Sequence, residues 1–405
     1  MTDSHKKTDL PLRGVRVLDL SRLLPGPFCS LLLADLGAEV LKVEDTGMGD
    51  YLRWAPPYVG DDDAKEAGVA ASQFLALNRN KRSVRIDLKS EAGQAVLLKL
   101  ATEFDVLLES FRPGVLDRLG VGYEALRAQN KRLIYCAISG YGQDGPLRDR
   151  AGHDMNYLAS NGLLALSGDA GGGPAMAGGQ IADIGGGGQM AALAITTALF
   201  ERERSGEGSM LDVSMTDGAM SWLAMPAARA LGGEPPLRRG KVELGGSWIC
   251  YRPYEVSDGW VALGAIEPKF WQAFCRGIER DDLMTLQFQP PGSAAHAEVE
   301  AVFRGRTRAE WVEFGAEYDC CLEPVLEIEE ALESQLVRER GMVVEIDQPG
   351  IGKVRQLASP VKIDGQRPGR LEPAPAIGQH TDEVLGTLGY TDVEIAQLRE
   401  SGAVG

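Results

Sequence analysis

Positive charge is the first thing this chain is short of. Its 42 Lys and Arg stand against 58 Asp and Glu, leaving a net charge of −16. That balance argues against a non-specific nucleic-acid binder, which needs a basic face. An anionic ligand must instead be met by a local cluster of Arg, Lys and helix N-termini. Long apolar runs are missing as well. None approaches the ~20 residues that a membrane helix requires, and Met1 to Asp9 is polar, with no apolar h-region of a signal peptide. Cys29, Cys136, Cys250, Cys275, Cys320 and Cys321 form no C-x-x-C pair and no metal-ligand spacing. They read as reduced thiols of a cytoplasmic protein, with no metal expected. The C-terminal Ser401-Gly402-Ala403-Val404-Gly405 carries no peroxisomal or retention address. No G-x-G-x-x-G turn follows the first strand, so neither NAD nor FAD is inferred. Histidine is scarce, at four residues.

What is present is ordinary globular material: 44% hydrophobic and 25% charged residues over 405 positions, enough for two domains. Val15 to Leu20, Glu39 to Glu44, Val84 to Leu88, Val106 to Glu109, Leu133 to Ser139 and Met210 to Met215 are short branched runs suited to buried parallel strands. Helical spacing lies between them, from Phe28 to Leu36 with Gly37 as its stop, and from Ser90 as a cap to about Glu103. The alternation predicts an α/β fold with a parallel, doubly wound sheet. Asp45 to Ala76 reads as a long covering loop, and Asn78-Arg79-Asn80-Lys81-Arg82-Ser83 as a compact basic turn, either solvated or phosphate-binding. Residues 217–231 are predicted as one helix, and 232–246 is linker-like in its Gly, Pro and charge. Trp248 to Ala265 alternates as a hairpin turning at Ser257-Asp258-Gly259. The segmentation expected is a large domain over 1–225, a linker over 226–246, a small α+β domain over 247–318, and a return to the large domain over 319–405. In that return Val343 to Ile346 and Lys353 to Leu357 are strands, and Thr381 caps a last helix.

The chemistry concentrates between Ala151 and Arg204. His153, in Gly152-His153-Asp154-Met155-Asn156-Tyr157, carries the one side chain whose ordinary pKa lies near neutrality. Taken alone it reads as a buried structural histidine. Its setting beside turn and helix-start residues, with Asp183 opening Asp183-Ile184-Gly185-Gly186-Gly187-Gly188, makes a two-base site the sharper reading. The glycines either free backbone N–H groups to stabilise an anion or let a helix pack closely; both can hold. Arg112 and Arg118, beyond the carboxyl end of the strand at Val106 to Glu109, sit where open α/β sheets bind ligands. Met176, Met190, Leu193, Met215, Met220 and Trp222 are mostly core material, with an apolar acyl pocket as the alternative.

Several motifs together carry a family resemblance. They are Gly14 to Leu20 with Pro25-Gly26-Pro27, Ala34 to Val40 with Lys42-Val43-Glu44, Asn78 to Ser83, Phe111-Arg112-Pro113-Gly114, Gly140 to Pro146, and Glu203 to Gly208. In this order the chain resembles the class III CoA-transferase (CaiB/BaiF) superfamily. Gly152-His153-Asp154 with Asn156-Tyr157, Gly264-Ala265-Ile266-Glu267-Pro268 and Asp319 to Val325 make it most similar to the 2-methylacyl-CoA racemase branch. The resemblance implies a Rossmann-like large domain built from both chain ends, a small α+β middle domain, and two subunits interlocked into a homodimer. It implies inversion of the α-carbon of 2-methylacyl-CoA thioesters, with His153 and Asp183 as opposing acid and base and Glu267 orienting the histidine. Coenzyme A would enter as part of the substrate, with no tightly bound cofactor. Arg112 and Arg118, then Lys89, would take its phosphates, Ile86 and Leu88 would flank the adenine, and Asp154 and Tyr157 would meet the pantetheine arm. The family's basic residue after the second strand is replaced by Asp45. The alternative within the family is a CoA transferase with Asp183 as covalent nucleophile; the long 45–76 loop and the Asn-Lys-Arg-Ser turn look like that branch.

Overall fold

A computed structural model describes residues 10–405. Contacts divide the chain into two compact units. The first holds the residues up to Asn161, then Gly179–Ser221 and Arg338–Gly405; the second holds Gly162–Gly178 and Trp222–Val337. The partition departs from the expected linear segmentation, because 162–178 groups with the middle of the chain and the return begins near 338.

The first unit is built on six parallel strands: β1 (Arg16–Asp19), β2 (Glu39–Glu44), β3 (Lys81–Arg85), β4 (Val106–Glu109), β5 (Ile134–Ser139) and β6 (Met210–Ser214). Their order is β3-β2-β1-β4-β5-β6, the doubly wound order that reverses between β1 and β4. Register is continuous across that reversal, Val17 lying beside Val40 on one side and Val106 on the other. β4 and β5 bury every residue, which explains why they read as near-continuous apolar runs, ending in Glu109 and Ser139, rather than alternating ones. Pro25 opens the helix Pro25–Asp35, where its missing N–H costs nothing, and Gly37 at φ +106° turns the chain into β2. A two-stranded antiparallel hairpin, β10 (Val343–Gln348) and β11 (Gly352–Leu357), belongs to the same unit.

The second unit carries the predicted hairpin, β7 (Tyr251–Val256) and β8 (Gly259–Gly264), joined by β9 (Leu322–Pro324) into an antiparallel sheet. Helices Pro268–Gly277, Ala294–Arg304 and Arg308–Tyr318 close over it on a core of Trp271, Phe274, Phe303 and Trp311. No helix among the described residues is long and apolar enough to cross a membrane.

Four local expectations are corrected. The 45–76 stretch is not bare loop: it holds a 3-10 turn at Tyr51–Trp54 and helices Asp62–Glu66 and Ser72–Asn78. Arg53 holds it down from inside, pairing with Glu44 at 2.6 Å and lying 3.9 Å from the centre of the Phe74 ring. The basic turn after it is interior, since Asn78, Arg79, Asn80 and Lys81 are all buried. Arg79 pairs with Asp35 at 2.6 Å, while Lys81 reaches Asp19, the Pro27 carbonyl and Asn78. Buried cations persist only with such partners, so Lys81 is committed to the fold. The helix predicted over 217–231 is two, Met215–Ser221 and Ala224–Leu231. Thr381 is the first residue inside its helix, behind His380, and its hydroxyl donates to the Gly378 carbonyl.

Two features give testable energetics. Glu109, at the carboxyl end of β4, accepts from the Phe111 N–H and the Tyr135 hydroxyl inside the core. Burial pushes its carboxyl up to about 7, against the pull of those hydrogen bonds and with a small push from Asp117. A raised carboxyl binds its proton more tightly folded than unfolded, so stability is lost as pH rises from the usual carboxylate range through 7. Glu109→Gln should therefore be more stable than wild type at pH 8, by up to about 3 kcal/mol and with a higher Tm, the gain falling below about 1 kcal/mol at pH 5 and nearly gone at pH 4. Thermal melts across that range check it; a gain independent of pH would contradict it. A β-carbon on Gly186 would lie 2.6 Å from the Met215 carbonyl oxygen and 2.7 Å from the Ala219 nitrogen, both backbone atoms. Gly186→Ala should cost about 3 kcal/mol in urea unfolding, near the top of the range for overpacking.

Candidate active site

The loops leaving the carboxyl ends of β1, β4, β5 and β6 enclose a cleft of about 490 Å³ within the first unit. Arg22, Leu23 and Pro25 come from the β1 end, Ser110 to Pro113 from β4, Ser139 and Gly140 from β5, and Met215 from β6. This is the crevice beside the β1/β4 reversal, where doubly wound sheets take their ligands. His153 and Asp183 both line it.

Local geometry explains how each arrives there. Helix Asp154–Ser160 starts directly after His153, whose extended backbone makes it the N-cap, and the His153 N–H donates to Asn156 Oδ1 at 3.0 Å. Tyr157 packs beneath this turn. Its hydroxyl donates to the Gly152 carbonyl, and its ring meets Tyr141 edge-on at 5.1 Å. Gly140 and Gly152 leave room for that ring, since a β-carbon on either would fall within 2.7 Å of it. Asp183 lies in the first turn of a wide, π-type helix, Ile181–Gln189, that runs into helix Met190–Ser205. The glycine run resolves in favour of close packing. Gly186 meets the backbone of helix Met215–Ser221 at Gly218, Gly187 meets Met215, and Gly188 meets the Pro25 carbonyl.

The electrostatics separate the two candidates. Asp183 is half-buried, and burial pushes its carboxyl up to about 6; the Asp154 carboxylate adds to that push and His153 opposes it. Burial, and then the Asp183 charge, push the Tyr157 phenol up to about 12, so it stays neutral. His153 is exposed at the cleft wall. A carboxyl held near 6 exchanges its proton readily near neutral pH, which is what a general acid or base in this cleft needs.

The remaining expected residues fall in different places. Arg112 lines the cleft, and among the described residues its guanidinium has neither hydrogen bond nor ion pair. Arg118 is exposed at the end of the short helix Val115–Arg118, outside the cleft lining. Lys89 is exposed, while Ile86 is buried in the main core and Leu88 packs against it. Asp154 turns one oxygen inward, accepting from the N–H groups of Ala182 and Asp183. Glu267 belongs to the second unit, at the N-cap of helix Pro268–Gly277. Of the apolar candidates only Met215 lines the cleft; Met176, Leu193, Met220 and Trp222 are exposed rather than core.

Sequence reasoning missed Arg22, Arg148 and Arg150, which join Arg112 on the cleft wall. Arg22 is anchored to Asp45 at 3.0 Å and lies between the rings of Tyr51 and Phe111. The signals existed: Arg22 follows the end of β1, and Arg150 stands three residues before His153.

Comparison with known proteins agrees with this architecture. A family model described as CoA-transferase family III matches residues 12–381. An alpha-methylacyl-CoA racemase from Mus musculus is 38% identical, over 97% of each chain. A succinyl-CoA:glutarate CoA-transferase from Homo sapiens is 30% identical, over 97% of this chain and 90% of that one. Among solved structures, a CAIB/BAIF family protein from Brucella suis superposes with a TM-score of 0.80 at 28% identity, over 94% of this chain and 100% of that one. A match that runs from ahead of β1 to the last helices, on a sheet and cleft of this design, leaves one conclusion: this chain belongs to CoA-transferase family III.

Proposed function

We propose that the protein is a racemase of 2-methylacyl-CoA thioesters. The observation that carries this reading is the pairing of His153 with an Asp183 carboxyl held near 6 in one cleft. The α-proton of a thioester is weakly acidic because the anion left behind delocalises onto the thioester oxygen. One ionised base takes that proton from one face, and the protonated partner returns a proton to the other face. Carbon regains four bonds with inverted configuration, and the two residues exchange protonation states, which solvent resets. A positioned acid or base of this kind is typically worth ~10²–10⁴ in rate. The enolate oxygen needs donors; in the first turn of helix Asp154–Ser160 the Asn156 N–H already bonds the His153 carbonyl, which leaves the N–H groups of Asp154 and Met155 as the proposed donors. Glu267 is proposed to orient the imidazole. Arg112 is the proposed diphosphate contact, with Arg118 and Lys89 further along and the Ile86–Leu88 edge nearest the adenine.

The name carried by the racemase relative supports this reading, as does the Gly152-His153-Asp154 signature. The transferase alternative keeps one observation in its favour: a carboxylate at Asp183 could attack a thioester, and a transferase relative aligns over almost the whole chain. Assembly as a homodimer is part of the proposal, supported by exposed apolar side chains on each unit, Leu193 and Phe200 on the first and Met225 and Leu231 on the second. The cytoplasm is the proposed compartment, in keeping with six free cysteines.

The test is α-deuterium incorporation into a single-epimer 2-methylacyl-CoA in D₂O with no acceptor acid. Exchange with loss of stereochemical purity is expected, and His153→Ala should abolish exchange for at least one epimer. Exchange at wild-type rates for both epimers in that variant would sink the two-base assignment. No exchange, with CoA passing to an added free acid, would establish the transferase. Arg112→Ala should raise KM for the acyl-CoA roughly tenfold with kcat little changed, the loss of one charge-assisted contact to phosphate. An unchanged KM would assign Arg112 to the fold.

A further inference from the structure

One carboxylate beside the cleft is engaged in a way that neither acid–base chemistry nor CoA binding requires. Asp154 is the first residue of helix Asp154–Ser160, next to His153. Its Oδ1 accepts from the Ala182 N–H at 2.7 Å and from the Asp183 N–H at 3.0 Å. Those two N–H groups sit at the opening of the wide helix Ile181–Gln189, where no preceding turn supplies an acceptor, and among the described residues no other side chain caps that opening. The start of one helix is therefore fastened to the start of another by a single side-chain oxygen. His153 is the residue before that oxygen's owner, and Asp183 is itself one of the two donors.

We propose that Asp154 is a positioning residue. Its carboxylate clamps the backbone at Ala182 and Asp183, fixing Asp183 relative to His153, and keeps a negative charge beside the Asp183 carboxyl. The inference rests on the reading of Asp183 as the working carboxylate of the cleft, and holds whether that carboxylate moves a proton or attacks a thioester.

Two consequences separate this role from a plain structural one. The first is geometric. Without the clamp the opening turn of the wide helix loses both acceptors, and displacement of a reacting group by about 1 Å costs on the order of 100-fold in rate. The second is electrostatic. The charges acting on Asp183 are those of Asp154, which favours the protonated acid, and His153, which favours the carboxylate. Tyr157, on the same helix as Asp154, is neutral. Asp35 and Cys29 on helix Pro25–Asp35, Asp217 on helix Met215–Ser221, the Glu201 to Arg204 end of helix Met190–Ser205, Tyr135 and Cys136 on β5, Asp212 on β6, and the cleft residues Arg22, Arg112, Arg148 and Arg150 are not among the groups that shift Asp183. Removing the Asp154 charge while keeping its oxygen must therefore lower the Asp183 pKa.

Asp154→Asn does this, because its carbonyl oxygen can still accept both N–H bonds. The measurement is twofold. Carboxyl-¹³C aspartate labelling, with the Asp183 signal assigned by its disappearance in Asp183→Asn, follows Asp183 ionisation in the ligand-free enzyme. The pH dependence of kcat/KM for whichever reaction the enzyme performs follows it in turnover. In Asp154→Asn the NMR midpoint should move about one pH unit downward, and with it the limb that Asp183 governs: the acid limb where Asp183 works as ionised base or nucleophile, the alkaline limb where it works as the acid. Asp154→Ala should lower kcat about 100-fold while KM for the acyl-CoA changes by less than about threefold. An unmoved midpoint in Asp154→Asn overturns the electrostatic half. A raised KM with intact kcat in Asp154→Ala overturns the clamp and returns Asp154 to a contact with the thioester arm. If the midpoint moves but the wild type shows no α-exchange, the clamp stands and the racemase reading falls.

Discussion

The contact on which this molecule depends is the one between two backbones, where the wide helix Ile181–Gln189 lies against helix Met215–Ser221 at Gly186 and Gly218. A β-carbon on Gly218 would fall 2.1 Å from the Gly186 carbonyl oxygen, so neither position has room for any side chain. That approach seats the wide helix over the carboxyl ends of the strands and fixes where its first turn, and hence Asp183, must be. Everything chemical in the cleft follows from this. The half-burial of Asp183, its raised affinity for a proton, and its place in the cleft that His153 also lines all depend on how closely the glycine-rich turn packs.

Around that contact the protein manages charge by pairing it. An acidic chain cannot attract an anionic ligand with its overall field, and the structure compensates by sorting its cations into two groups. Arg53, Arg79 and Lys81 are buried and committed to Glu44, Asp35 and Asp19, which tie the 45–85 stretch to the sheet. Arg22, Arg112, Arg148 and Arg150 converge on the cleft beside His153. The proposed CoA substrate would give that convergence a purpose, since CoA brings its own phosphates. The same family contains racemases and transferases, and the chemistry of a carboxyl poised near 6 suits a proton carrier more directly than a nucleophile.

Much of this was legible in the residues. Near-continuous apolar runs at 106–109 and 134–139 announced parallel strands, because a strand covered on both faces has no reason to alternate. The hairpin at 257–259 and the helix cap at Ser90 were readable because turn and cap chemistry is local. His153 and Asp183 stood out by residue type and by neighbouring glycines. The basic turn at 78–83 misled: solvated and buried cations look alike along the chain, and the carboxylates that bury these lie some forty or more positions away. The engagement of Asp154 was hidden for the same reason, its partners being 28 and 29 residues further on.

The chain by itself thus determined the parallel sheet, the position of its strands and the family, and it singled out His153 and Asp183 as the candidates to carry a proton. Tertiary structure decided which cations are free and which are consumed, that the glycine run serves close packing, and that Asp154 faces the backbone of Asp183. The physical reason is range. Periodicity, caps and turns act over a few residues and are written in local order. The ionisation of a carboxyl and the freedom of an arginine depend on which distant groups the fold brings within a few ångströms.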